Sequence, residues 1–358
     1  MPTILNSITE LPKMAGDLSP ENREIFNTIF HISTTTGELS APEAMHAWIN
    51  KLFGSLDAVT RQRIVKITNL VTMEGALFNE LRASRPLELK CGEELPKTIA
   101  QSLGDPFCHP LDGTPSDVFG RVSGRNSITA SNVAKYDGHH GLVIFSEHNP
   151  LVLSADKVRD YFQTALRWAE TIHAGDKEAL YYFFLWNCLW KSGASIVHGH
   201  AQMTVTRAMH YAKIEDLRRR TVSYRQSKNR NYFDDLFRIH ESLGLAWRRG
   251  DVRGFAYLTP IKEKEIFLMA AQEGDALYDE AYRVLDRFQC MGVRSFNAAL
   301  CRPPLAADGE DWQGFPAIIR LVDRGDPDIR TADFGGMELY AASVIASDPC
   351  KVAAWMRD

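Results

Sequence analysis

Three side chains in one short stretch have the types and spacing of a catalytic row: His198, His200 and Gln202, within Ser195-Ile196-Val197-His198-Gly199-His200-Ala201-Gln202. Residues 195–206 read as a strand. Alternate residues of a strand share a face, so the three would stand about 6.5–7 Å apart along one row. Imidazole is largely neutral near pH 7 and is a good nucleophile toward phosphorus; a covalent intermediate divides one displacement into two. Its other ring nitrogen needs an acceptor to fix the tautomer. His200 is central, with polar neighbours able to hold phosphate oxygens. Gln202 cannot serve as an acid, which suits a leaving group that is already good, such as a phosphate ester released from an anhydride. Gly193 and Ser195, in the turn before the row, offer backbone N–H groups and a hydroxyl to a phosphate. From H-x-H alone, packing or metal binding is the competing reading.

The elements that must position this row follow from periodicity. Residues 20–80 read as helices, with Ile64, Ile67, Val71 and Met73 marking a third one. After Pro86 short β-rich runs begin, at 127–133 and 141–145. A helix at 155–174, an aromatic strand at 181–186 and the strand at 195–206 come next, then a charged helical stretch at 211–245. The order strand, strand, helix, strand, strand then recurs at 254–258, 265–269, 275–290, 296–301 and 316–322. A repeat of pattern rather than of identity implies an α+β layer fold.

Composition narrows the function classes. The chain has 358 residues, with 45% hydrophobic and 24% charged residues, as a globular protein of about two domains would have. Its net charge of −4 argues against a nucleic-acid groove. The basic run Arg218-Arg219-Arg220 is flanked by Glu215 and Asp216 and reads as a solvated helix face. The six cysteines include no C-x-x-C pair. The first sixteen residues do not form a signal peptide, and the apolar stretch 179–190 is too short to span a bilayer. A reduced, cytoplasmic protein without membrane contact is expected.

Asn187-x10-His198-x-His200-x-Gln202 resembles the histidine-triad superfamily. The Gln in the third place is similar to the galactose-1-phosphate uridylyltransferases and diadenosine tetraphosphate phosphorylases; the superfamily's hydrolases usually keep a third His. Three segments carry the likeness further. Asn132-Val133-Ala134-Lys135-Tyr136-Asp137-Gly138-His139-His140-Gly141 is similar to the family's hairpin near the nucleotide. Arg82-Ala83-Ser84-Arg85-Pro86 resembles R-A-K-R-P with Ser84 in the Lys place. Gly336-Met337-Glu338 resembles a Gly-aromatic-Glu element that meets the sugar acceptor.

The resemblance implies tandem histidine-triad-like repeats, an antiparallel sheet with helices, behind an N-terminal helical extension. It divides the chain into the extension at 1–74, a catalytic half at 75–248 and a second half at 249–358 that lacks the His motif. It implies a nucleotidyltransferase. A nucleoside monophosphate would pass from a nucleotide sugar or dinucleoside polyphosphate, through His200, to a phosphate or sugar-phosphate acceptor. Gln202 and Ser195 would hold the phosphoryl group, with His198 beside them. Asn187, Asn132 and Gly193 would contact the nucleotide, Arg82 and Arg85 the phosphates, and Glu338 the acceptor. A structural zinc would sit on Asp105, Cys108, His148 and His198, with Asp105 where the family has its first Cys; no organic cofactor is implied. A homodimer is expected. A hydrolase using water, or a nucleotide-binding module without catalysis, fits the same residues.

Overall fold

The computed structural model describes residues 7–79, 81–82, 94–329 and 334–357. In chain order its strands are β1 (Phe30–Glu38), β2 (Arg61–Asn69), β3 (Gly75–Phe78), β4 (Ser127–Ser131), β5 (His139–Phe145), β6 (Ala179–Cys188) and β7 (His200–Arg207). They continue as β8 (Ala246–Arg249), β9 (Val252–Ala256), β10 (Glu263–Ala270), β11 (Phe296–Cys301), β12 (Ala317–Asp323) and β13 (Ser343–Ile345). Nine of them form one sheet in the order β4-β5-β7-β6-β11-β12-β10-β9-β8. The quartet β4-β5-β7-β6 is mirrored by β9-β10-β12-β11, so the halves meet where β6 and β11 pair antiparallel, Asn187 opposite Asn297.

One face of each half is roofed by a long helix. In Ala155–Gly175, capped by Ser154, the residues Val158, Tyr161, Phe162, Ala165, Trp168, Ala169 and Ile172 recur at helical spacing and are all buried. They pack in one core with Val143, Ala201, Met203 and Val205 of the sheet. A Cβ at Gly141 would lie 2.8 Å from the Trp168 ring, so only glycine lets β5 approach this roof. Asp275–Cys290 covers the second half in the same way. His140, Leu142 and Ile144 are out of phase with the roofed positions and turn to the opposite face, with His200 and Gln202 across from them in register.

The third helix expected near residue 64 is a strand. In β2 the exposed Lys66 and half-buried Thr68 alternate with the buried Val65, Ile67 and Asn69, which is a period of two, and β1 pairs along its length. The helices of this region, Leu11–Gly16, Pro20–Ile29, Glu43–Phe53 and Leu56–Thr60, flank a four-stranded sheet β1-β2-β3-β13. The spacing of 64, 67 and 71 fits a helix, but the alternation at 65–69 and the cross-strand packing decide for a strand. Arg218 also departs from the solvated reading. It is 5% exposed, clamped by Glu215 and Glu310, with its guanidinium over the Trp312 ring. Among the described residues no helix is long and apolar enough to cross a membrane.

Candidate functional site

β7 begins at His200, five residues later than the sequence reading placed it. His198 therefore leaves the row expected along the strand. The ladder still continues one step, Phe145 N–H donating to the Gly199 carbonyl. A Cβ on Gly199 would stand 2.6 Å from the Phe145 ring, so glycine is required for this close pass. Ahead of it the chain bends, and the His198 ring turns away from His200 into a separate cluster. Its main chain stays: the His198 carbonyl accepts from His200 Nδ1 at 2.8 Å. A carbonyl only accepts, so Nδ1 carries the hydrogen and Nε2 of neutral His200 presents a lone pair. Nε2 has no hydrogen-bond partner among the described residues. Burial pushes His200 below its ordinary pKa, outweighing the hydrogen bond to His198, and so favours the neutral ring. The Phe107 ring stands edge-on to it, centroids 5.1 Å apart.

Gln202 lies two residues along β7 on the same face. Its Oε1 accepts from Tyr136 Oη at 3.2 Å and lies 3.1 Å from His140 Nε2. With Oε1 so engaged, the amide N–H groups are left for another acceptor. His140 is fully buried, and burial lowers its pKa; His139 points the other way, to Asp176. Asn132 serves the hairpin: Oδ1 accepts from Ala134 N–H and Nδ2 lies 3.0 Å from His140 Nε2. Beside the row a small apolar patch of Phe107, Ala130, Leu142 and Ile144 is flanked by Ile128 and Ile196.

Asn187 extends the site onto β6, and Ser195 and Gly193 are exposed in the bend before β7. Sequence reasoning missed what fixes Asn187. Asn297 Nδ2 donates to Asn187 Oδ1 at 2.6 Å and to the Ser192 carbonyl at 3.0 Å, and Arg324 donates to Asn297 Oδ1. Only strand register brings these together, and no motif marks it. Glu338 caps its own short helix, accepting from Gly335 N–H at 2.9 Å. Arg82 is exposed on a short turn. Arg85 lies outside the described residues.

The four residues named for a metal do converge. Asp105, Cys108, His148 and His198 offer ligand atoms that all lie within 4.8 Å of one another. Cys108 Sγ is 3.3 Å from His148 Nδ1 and 3.5 Å from His198 Nδ1, and the two Nδ1 atoms are 3.1 Å apart. Each Nδ1 lies 3.6 Å from an Asp105 oxygen. His198 Nε2 donates to the Phe145 carbonyl at 2.8 Å, and His148 Nε2 to that of Ile99 at 3.0 Å. Both Nδ1 atoms are thus lone pairs, and two of them at 3.1 Å repel unless a cation lies between. Asp105 Oδ2 is buried without a hydrogen-bond partner. A tetrahedral zinc with N ligands at about 2.0–2.1 Å puts them roughly 3.4 Å apart, so the donor set fits a metal ion. Asp105 Oδ1 also holds the turn, accepting from Phe107 N–H at 2.7 Å.

No protein-family model and no curated protein matches the sequence. Solved structures do match the fold. An ADP-glucose phosphorylase from Arabidopsis thaliana with bound ADP-glucose superposes with a TM-score of 0.60 at 13% identity, covering 81% of this chain and 97% of that one. A GalT-like protein from the same plant gives 0.60 at 15% identity, with 81% and 97% covered. A uridylyltransferase gives 0.54 at 14%, with 81% and 96% covered. The chain has the α+β fold of these solved structures.

Proposed function

We propose that the protein is a nucleotidyltransferase. It moves a nucleoside monophosphate from a nucleotide sugar or dinucleoside polyphosphate to a phosphate or sugar-phosphate acceptor, through a covalent nucleotidyl-His200. The observation that carries this reading is the His200 Nδ1–His198 carbonyl bond at 2.8 Å, which leaves a buried, neutral imidazole with Nε2 as its reactive lone pair. Nε2 attacks the α-phosphorus, and the bond from that phosphorus to the bridging oxygen breaks. The electron pair leaves on the terminal phosphate ester, which needs no proton at neutral pH. An acceptor phosphate oxygen then attacks the same phosphorus and releases His200. The amide of Gln202 hydrogen-bonds the phosphoryl oxygens, where charge grows in both transition states. Asn187, Gly193 and Ser195 line the same approach.

Zinc held by Asp105, Cys108, His148 and His198 would supply a structural anchor. His198 would ligate through its ring while its carbonyl orients His200, so the fixed bend sets the nucleophile.

The test is direct. The protein is incubated with α-labelled ADP-glucose and, separately, UDP-glucose, and an acid-labile, base-stable adduct is sought. One donor is expected to label wild type and not His200→Asn. Equal labelling of His200→Asn refutes the mechanism. Discharge of the adduct by phosphate or glucose 1-phosphate marks a transferase; discharge at the same rate in buffer alone marks a hydrolase.

A further inference from the structure

We infer that Asn297 and Arg324, both from the second half, are positioning residues for the nucleotide site of the first. The inference rests on the function proposed above. Their hydrogen bonds admit one orientation. A guanidinium only donates, so Arg324 requires Asn297 Oδ1 to face it. The Asn297 amide nitrogen then has two N–H groups, and both are used, on Asn187 Oδ1 at 2.6 Å and on the Ser192 carbonyl at 3.0 Å. Asn187 Oδ1 is thereby committed to Asn297, so Asn187 Nδ2 is the group left to donate. It has no hydrogen-bond partner among the described residues, and a Cβ on Gly193 would come within 3.9 Å of it.

The donor therefore points along the Ser192–Gly193 turn, toward a ligand that offers acceptor oxygens, as a nucleotide's ribose or phosphate does. The second bond pins the carbonyl of Ser192 and so fixes the turn itself. Leu189, between Asn187 and this turn, sits at φ +66°, ψ 172°, a conformation costly for a residue with a side chain. A bend so strained needs an external hold, and Asn297 bonds the chain on both sides of it. The Arg324 guanidinium also lies 5.8 Å from the centroid of Phe334, two residues before the helix that carries Glu338. The half without a His motif thus orients the asparagine of the half that has one.

The test is a double-mutant cycle on the intact chain. Asn297→Asp keeps the size of the side chain and its partner Arg324 but presents oxygens to Asn187 Oδ1 and the Ser192 carbonyl. Asn187 can then relieve the repulsion only by turning its own N–H groups to Asp, away from the site. The single-turnover labelling rate of His200 by ADP-glucose or UDP-glucose is expected to fall about tenfold, the worth of one hydrogen bond to a charged group. In an Asn187→Ala background the same change should cost clearly less, only the part that reaches the site through the Ser192 turn. Arg324→Gln, which keeps a donor to Asn297, should lose less than threefold. Asn297→Asp labelling at the wild-type rate overturns the inference while leaving the proposed function standing. So does an equal loss in both backgrounds, which marks a merely structural role, read alongside the melting temperature of each variant. A wild type that no donor labels overturns the function and this inference together.

Discussion

Asp105→Asn is the sharpest probe of the metal cluster because it changes charge and little else. Asp105 has two tasks: Oδ1 accepts from Phe107 N–H at 2.7 Å, and the carboxylate stands 3.6 Å from the Nδ1 atoms of both histidines. Asparagine keeps the first through its own Oδ1. It removes one of the two anions, Asp105 and the Cys108 thiolate, that would neutralise a divalent ion among two neutral histidines. A unit charge about 4 Å from another is worth about 4 kcal/mol at an effective dielectric near 20. Zinc should therefore bind Asp105→Asn about a thousandfold more weakly. Asp105→Cys restores an anionic ligand and should stay within about tenfold of wild type. The assay is competition of apoprotein against a chromophoric chelator, with zinc content by mass spectrometry and melting with and without chelator. Chelation should lower the melting temperature of wild type and leave Asp105→Asn nearly unchanged, since a ligand stabilises only the chain that binds it. Labelling of His200 should slow in the same order, because the His198 carbonyl moves with its ring. An Asp105→Asn protein that binds zinc as tightly as wild type, or a wild type that takes up no zinc, refutes this.

Three further outcomes follow from buried groups. His240 is fully buried, donating from Nδ1 to the Leu236 carbonyl at 2.7 Å and accepting at Nε2 from Leu258 N–H at 3.2 Å, and burial pushes its pKa down to about 4. The unfolded chain protonates near the ordinary value of about 6.5, so the stabilising effect is whole above that pH and is lost as pH falls toward 4, by about 3 kcal/mol. Urea midpoints across that range should show it, and His240→Phe should reduce the pH slope by nearly one proton; an unchanged slope counts against the assignment. Arg320 faces Glu265 and Glu74, and burial raises the pKa of Glu265. Arg320→Met should destabilise by about 3–5 kcal/mol, and Glu265→Gln should recover part of it; full stability of the single variant would contradict the pairing. In Gly199→Ala the new methyl meets the Phe145 ring at 2.6 Å and the Glu147 carbonyl at 3.2 Å. Labelling should fall more than about tenfold for a stability loss of about 1–3 kcal/mol; wild-type labelling would show that the bend is not set there.

The α+β class and the histidine row of the candidate site were legible in the sequence, but the positions of some elements were not. His200 and Gln202 are adjacent in the chain, so strand periodicity alone puts them on one face. The metal set spans residues 105 to 198, and only likeness to a known pattern could join it, with an Asp standing where a Cys was expected. His198 was misplaced because a strand pattern cannot show where pairing stops. The bend at Gly199 gives its ring to one site and its carbonyl to the other. Asn297 and Arg324 were invisible, since their roles come from register between the halves.

The same register sets the two halves apart, since only one of them presents His200 and Gln202. Ile318 pairs with Met269 as His200 pairs with Ile144, and Arg320 pairs with Phe267 as Gln202 pairs with Leu142. The second half thus has an isoleucine where a nucleophile would stand. At the Gln202 position it has an arginine bound to Glu265 of its own sheet and to Glu74, in the turn between β2 and β3. Tyr257 Oη donates to Glu74 at 2.7 Å, and Asn69 Nδ2 donates to the hydroxyls of Tyr232 and Tyr257. Polar groups of the N-terminal strands and of the turn between them therefore pack on this face, Glu74 pairing with the half-buried Arg320. On the first half the equivalent face carries His200, Gln202 and Asn187. The N-terminal segment, which no motif placed, packs on one of two related faces, the one that lacks the histidine row.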